Sequence, residues 1–107
     1  MRCVFRTFAI ALLFAPIVVA AQTAVFVNEL HYDNASTDSN EAIEVVGPAG
    51  TNLAGWSVTL YNGNGGASYA TLTLSGTIAN SCAGFGAVSV AAPGLQNGSP
   101  DAVEIGR

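Results

Sequence analysis

The stretch VFVNELHYDNASTDSNEAIEVV, Val25 to Val46, decides the fold of this chain. Val25 to His31 alternates along its length, and Glu41 to Val46 is rich in Val and Ile. Between them, Tyr32 to Asn40 is almost wholly polar. Two strand-like runs around such a segment predict two β-strands joined by a long loop. In the first strand the alternation places Ala24, Phe26, Asn28 and Leu30 on one face, and Val25, Val27, Glu29 and His31 on the other.

Four further strand-like runs follow, separated by segments rich in Gly, Pro, Asn and Ser. The runs are Trp56 to Tyr61, Tyr69 to Leu74, Gly84 to Val90 and Ala102 to Ile105. Period-two alternation predicts that the inward side chains are Trp56, Val58, Leu60, Ala70, Leu72, Leu74, Val88 and Val90, and that the outward ones are Ser57, Thr59, Tyr61, Tyr69, Thr71 and Thr73. No stretch after residue 21 shows sustained helical periodicity, so the pattern predicts an all-β, antiparallel sandwich or barrel.

Residues 1–21 have the composition of a secretory signal peptide. Arg2 and Arg6 give a positive start, Phe8 to Val19 is apolar apart from one proline, and Val19-Ala20-Ala21 supplies small residues for cleavage. The apolar run is short for a membrane span. We therefore expect a secreted protein that is extracellular, at the cell surface or periplasmic. After cleavage it would consist of one domain over residues 22–107 and have no membrane span. The alternative is that residues 1–21 remain as an uncleaved N-terminal anchor.

The predicted mature chain is strongly acidic. It keeps all seven Asp and Glu residues but only one base, Arg107, and therefore has a net charge of −6. The acidic residues are Glu29, Asp33, Asp38, Glu41, Glu44, Asp101 and Glu104. Nucleic-acid affinity comes largely from Lys and Arg that neutralise phosphates, so direct binding to DNA or RNA by this segment is disfavoured.

The sequence also resembles a known family. VNELHYDN, then about seven polar residues, then EAIEVVGPAGTNLAGWSVTLYNGNGG is similar to the start of a bacterial lamin tail domain, and the likeness runs from Val25 to Ile105. The resemblance implies an immunoglobulin-like β-sandwich that serves as an accessory module in secreted and surface proteins. It also implies further strands beyond Arg107, which would make this sandwich incomplete at its C-terminus.

The polar loop suggests a metal site. Three carboxylates, Asp33, Asp38 and Glu41, are interspersed with further oxygen donors at Asn34, Ser36 and Asn40. Calcium takes six to eight oxygen ligands and tolerates irregular loops, although this spacing does not match the EF-hand loop. The alternative is a solvated loop in which Asp and Asn cap turns. Calcium is thus the one cofactor that the sequence suggests. One hypothesis for the function is a calcium-dependent adhesin.

Catalytic patterns are weak, and we predict no catalytic residue. Zinc needs three or four protein ligands, whereas His31 is the only histidine and no cysteine lies near it. No GxSxG motif is present. Cys82, left alone if Cys3 is removed with the signal, is expected to be a buried small hydrophobe.

These observations favour a non-catalytic secreted or cell-surface module for binding, adhesion or spacing. Tyr61 and Tyr69, expected on an exposed face, and the loop tips are the candidate surfaces for a protein or cell-surface ligand of unknown identity. The alternative is an N-terminal accessory domain of a secreted nuclease or phosphodiesterase whose catalytic part lies beyond Arg107.

Overall fold

The structure is a computed structural model that describes residues 24–33 and 37–107. The described residues form six strands: β1 (Phe26–His31), β2 (Ala42–Pro48), β3 (Ser57–Tyr61), β4 (Ser68–Thr73), β5 (Phe85–Ala91) and β6 (Ala102–Gly106). Each strand begins and ends within two residues of the bounds predicted from the sequence. The predicted signal peptide, residues 1–21, lies outside the described residues.

The strands form two antiparallel sheets of three strands each. The first sheet has the order β1-β2-β5 and the second the order β4-β3-β6. Their inner faces enclose one apolar core, which confirms the predicted all-β antiparallel sandwich. Within residues 24–33 and 37–107, no helix has the length and apolar character needed to cross a membrane.

The core combines strand residues with residues from the connections. The strands contribute Ile43, Val45, Val58 and Leu60, and Leu74 follows β4 directly; the connections contribute Leu53, Ile78, Ala92 and Leu95. Period-two alternation predicted the inward orientation of Val58, Leu60 and Leu74. The burial of Ile43, Val45 and the connection residues was not predicted. Trp56, the largest of the side chains predicted to face inward, is only half-buried and packs against the core from its margin.

Ile78 is buried because two glycines make room for it. Gly47 of β2 pairs with Gly86 of β5 on the inner face of the first sheet. A Cβ atom at Gly47 would lie 2.9 Å from Cδ1 of Ile78, and one at Gly86 would lie 2.9 Å from its Cγ2. Backbone hydrogen bonds hold the segment in place: Ile78 donates to the carbonyl of Thr51 at 2.9 Å and accepts from Gly50 at 2.8 Å.

A β-bulge in β1 changes which side chains face the core. Val27 pairs with Val45, and Glu29 pairs with the next residue of β2, Glu44, so Asn28 is an extra residue in β1. Leu30 then pairs with buried Ile43. Directly paired residues share a face, so Leu30 lies on the inner face together with Val27, not with Phe26 as strict alternation predicts.

A second bulge occurs in β4. Leu60 pairs with Ala70 and Tyr61 pairs with Ser68, which leaves Tyr69 as the extra residue. Tyr69 packs against the core, although alternation predicts that it points outward with Thr71. Both bulges lie in edge strands, where such irregularities are common.

The expectation for Cys82 is wrong, because its thiol is free and exposed. Cys82 begins a tight turn in which the N–H of Phe85 donates to its carbonyl at 2.9 Å. Both central residues, Ala83 and Gly84, have positive φ angles of 49° and 85°. Residues 79–85 are all exposed, so this turn lies at the surface and the thiol faces solvent.

Candidate functional site

A cleft of about 380 Å³ opens between the two sheets and is here called the intersheet cleft. Both sheets and the β5–β6 loop contribute to it. Its lining comprises Val27, Leu30, Tyr32, Tyr69, Leu95, Gln96, Asn97, Gly98, Asp101, Ala102 and Val103. An apolar floor with a few polar groups at the rim is typical of small-molecule sites.

The two bulges place side chains in this cleft. Leu30 lines it because the extra residue Asn28 shifts the alternation of the side chains that follow it in β1 by one position. Tyr69 lines it because it is itself the extra residue of β4. Without the bulges, alternation would direct both side chains to the outer faces of their sheets.

Hydrogen bonds hold the polar rim in one conformation. The hydroxyl of Tyr69 accepts from the backbone N–H of Gln96 at 3.0 Å, and the side chain of Gln96 accepts from Nδ2 of Asn62 at 2.8 Å. Asp101 accepts from the backbone N–H of Gly63 at 2.9 Å. These bonds tie the β5–β6 loop to the β3–β4 hairpin and to β4. The rim is therefore organised before any ligand arrives.

The cleft carries little charge, and that charge is negative. Among the described residues that line it, Asp101 is the only carboxylate and none is cationic. The only base in the described part of the chain, Arg107, lies beyond the far end of β6, where its guanidinium is 5.8 Å from the centre of the Trp56 ring. Arg107 is four positions beyond Val103 in the chain, which corresponds to about 14 Å along an extended backbone.

The two tyrosines proposed as a binding surface have different environments. Both are half-buried rather than exposed. Tyr69 lines the cleft, whereas the hydroxyl of Tyr61 donates to Oε2 of Glu104 at 2.8 Å on the outer face of the second sheet. That hydrogen bond raises the pKa of Tyr61 above its ordinary value, with smaller contributions from desolvation and from the negative charge of Glu104. The structure therefore does not bring Tyr61 and Tyr69 together in one site.

The three predicted calcium ligands are also described. Oε2 of Glu41 accepts a 2.5 Å hydrogen bond from the N–H of Gly94, which connects the start of β2 to the β5–β6 loop. Asp33 and Asp38 flank residues 34–36, which lie outside the described residues. No group of three or more His, Cys, Asp or Glu that could hold a metal is found among residues 24–33 and 37–107. Calcium binding stays a prediction, to be tested by comparing melting temperatures in calcium and in chelator.

A second, smaller hollow of about 140 Å³ lies on the outer face of the first sheet. Its lining residues are Glu29, His31, Ala42, Glu44 and Ser89. Glu29 and Glu44 are direct cross-strand neighbours, and Oε1 of Glu44 accepts from Nδ2 of Asn28 at 2.7 Å. The hollow thus concentrates negative charge at one end of this face, whereas Phe26 and Phe85 are exposed nearer the other end.

Only part of the lining of the cleft was predicted from the sequence. Of its lining residues, only Tyr69 was proposed as a binding residue. Tyr32, Gln96 and Asn97 lie in connections, where no periodicity indicates direction. The loop sequence LQNGSPD could have indicated the polar rim, because it combines amide side chains, turn residues and an acidic residue.

Comparison with known proteins adds no assignment. No protein-family model, no curated protein and no solved structure matches the chain. The resemblance to lamin tail domains stays a prediction from the motifs given above.

Proposed function

We propose that the chain is a secreted, non-catalytic β-sandwich module that binds a cell-surface ligand through the intersheet cleft. One observation carries the proposal: a cleft of about 380 Å³ with an apolar floor and a hydrogen-bonded polar rim. Ligand sites in proteins have volumes of roughly 300–1,000 Å³, so the cleft is large enough for one small ligand or for a single residue of a polymer.

The binding test compares two substitutions in the same strand. Leu30→Glu places a carboxylate in the cleft, and Phe26→Glu places one on the opposite face of β1. Both parent side chains are large, apolar and exposed, which makes them a matched pair. The purified proteins are mixed with the envelope fraction of the producing cells and sedimented.

We expect Leu30→Glu to abolish cosedimentation and Phe26→Glu to leave it unchanged. A thermal melt of each variant verifies that both remain folded. Equal binding by wild type and both variants would exclude the cleft as the binding site. Loss of binding in Phe26→Glu alone would assign binding to the outer face of the first sheet, and absence of binding by wild type would overturn the proposed function.

Secretion is tested separately by N-terminal sequencing of the exported protein. The proposal expects the mature chain to begin at Gln22, directly after Val19-Ala20-Ala21. A protein retained in the cells with an intact N-terminus would contradict this part of the proposal.

A further inference from the structure

We propose that the ligand of the intersheet cleft is a neutral sugar ring, as found in a surface glycan. This inference rests on the proposed function, because it names the ligand class of the same cleft. Four features of the cleft lead to it: its aromatic side chains, its amide-rich rim, its lack of cations and the irregular edge of β1.

Aromatic side chains supply the apolar contact that a sugar ring needs. Tyr32 and Tyr69 both line the cleft, beside aliphatic residues of β1 and β6. A pyranose has faces made of C–H groups, which bury well against tyrosine rings, and hydroxyl groups around its edge. Tyr32 is 45% exposed, so its ring still has surface available to a ligand. A tyrosine offers a large apolar ring with a polar tip, which suits such an amphipathic ligand.

The rim supplies donors and acceptors for sugar hydroxyls. Oε1 of Gln96 accepts from Asn62, and its Nε2 carries two N–H donors. Asn97 adds a second carboxamide, and Oδ1 of Asp101 already accepts from Gly63. Planar amide and carboxylate groups can contact neighbouring hydroxyl groups in pairs. Because the loop is tied down by its internal hydrogen bonds, little ordering entropy is lost on binding.

Charge selects a neutral ligand over an anionic one. The described lining of the cleft contains Asp101 and no cation, and the sequence contains no lysine. A phosphate, sulfate or uronate group would lie beside a carboxylate with no positive partner, which is unfavourable at short range in a partly desolvated site. The apolar floor also disfavours a small inorganic ion, which would lose its hydration there.

The edge of β1 disfavours an extended peptide as the ligand. A peptide that adds to a sheet needs a regular row of backbone donors and acceptors. The bulge at Asn28 interrupts that row beside the cleft, and bulges are one way in which proteins protect edge strands from pairing. A ligand that binds through side chains and ring faces does not need the row.

The test is a titration of the purified protein followed by proton–nitrogen NMR. The probes are N-acetylglucosamine, glucose, galactose and their disaccharides, with glucuronic acid as the anionic arm and the peptide Thr-Val-Thr-Val-Thr-Val as the peptide arm. We expect at least one neutral sugar to shift the backbone amides of Leu30, Gln96 and Asn97, and the other two arms to leave them unchanged.

Three variants test whether binding uses the aromatic contact. Tyr32→Ala should weaken binding of the neutral sugar about tenfold, the order expected for loss of one aromatic contact. Phe85→Ala removes an aromatic ring of nearly equal exposure, 47% against 45%, on the outer face of the first sheet, and should leave affinity unchanged. Tyr32→Phe keeps the ring and should retain most of the affinity.

The outcomes separate this inference from the proposed function. If envelope binding depends on Leu30 but no neutral sugar binds or competes, the sugar inference is wrong and the binding function stands. Shifts with the peptide or with glucuronic acid, and none with neutral sugars, overturn the inference in the same way. If the envelope is not bound at all, the proposed function fails whatever the sugars do.

Discussion

Leu30 and Tyr69 lie on edge strands of different sheets and line the same cleft, and each is there because of a β-bulge. In β1 the extra residue precedes Leu30, and in β4 Tyr69 is itself the extra residue. Bulges redirect side chains and are over-represented beside functional sites. That the two bulges converge on one cleft is the main structural reason to place binding there.

The glycine pair beneath Ile78 gives the first prediction. A methyl group added at Gly86 would lie 1.8 Å from the carbonyl oxygen of Ala79 and 2.9 Å from Ile78, so the backbone would have to move. We expect Gly86→Ala to lower the free energy of unfolding by about 1–3 kcal/mol or more, measured by urea denaturation.

Gly106→Ala is the matched control for that substitution. Gly106 also lies in a strand, but an added methyl group there meets no atom within 4 Å. Replacing it should leave stability unchanged or raise it by about 0.4–1 kcal/mol, because the unfolded chain loses freedom. Equal losses at Gly86 and Gly106 would show that Ile78 does not pack closely on the glycine pair.

The paired carboxylates Glu29 and Glu44 give the second prediction. Like charges directly opposite each other in neighbouring strands are destabilising, by roughly 0.2–1 kcal/mol. Glu29→Gln should therefore raise the unfolding free energy by about this amount at neutral pH and low salt. The gain should shrink in about 1 M salt, where the Debye length is near 3 Å. A loss of stability on substitution would indicate instead that Glu29 has a favourable partner in the hollow that it shares with His31.

The hydrogen bond from Tyr61 to Glu104 gives a prediction for alkaline pH. The pKa of Tyr61 is raised above 10.0 in the folded protein, because ionisation would remove the donated hydrogen and place a phenolate beside a carboxylate. The stability contributed by this bond is therefore fully present below pH 10 and is lost as the pH rises through the raised pKa.

Melting temperatures of wild type and Tyr61→Phe, measured between about pH 8 and pH 12, check this prediction. The two proteins differ only at residue 61, so the difference between the two curves reports on Tyr61. We expect wild type to be the more stable below pH 10 and its advantage to vanish in stronger alkali. A constant difference across the whole range would contradict the prediction.

The exposed thiol of Cys82 gives the fourth prediction. Because the turn from Cys82 to Phe85 projects the side chain outward, the folded protein should react with a thiol reagent at a rate close to that of the urea-unfolded chain. Mass spectrometry of the labelled peptide distinguishes Cys82 from Cys3. Protection of Cys82 in the folded state would restore the buried position that the sequence suggested.

Local pattern was sufficient to predict the six strands and the inward-facing residues of β3, β4 and β5, apart from Tyr69. Val58 and Leu60 are buried as alternation predicted, because an extended chain places every second side chain on one face. The same rule failed for Leu30, because the extra residue Asn28 reverses the alternation beyond it, and for Tyr69, because Tyr69 is itself the extra residue of β4. The extra residues arise from pairing with another strand, and pairing is not visible in the sequence of one strand.

The candidate site, too, could be predicted only in part from the sequence. Tyr69 was predicted as a binding residue, but on the wrong face, and Gln96, Asn97 and Tyr32 were not predicted at all. These residues come from β4, the β5–β6 loop and the end of β1, and no local spacing relates them. Only the packing of the two sheets brings them to one cleft.

The all-β class, the positions of the strands and the acidic character of the chain could be predicted from the sequence, because alternation, turn residues and charge are local properties. Which connection residues are buried, where the bulges fall and that a cleft opens between the sheets became evident only from the packing of the two sheets. Those features depend on contacts between residues distant in the chain, such as Ile78 on Gly47 and Gly86, and their energies exist only after the sheets have packed.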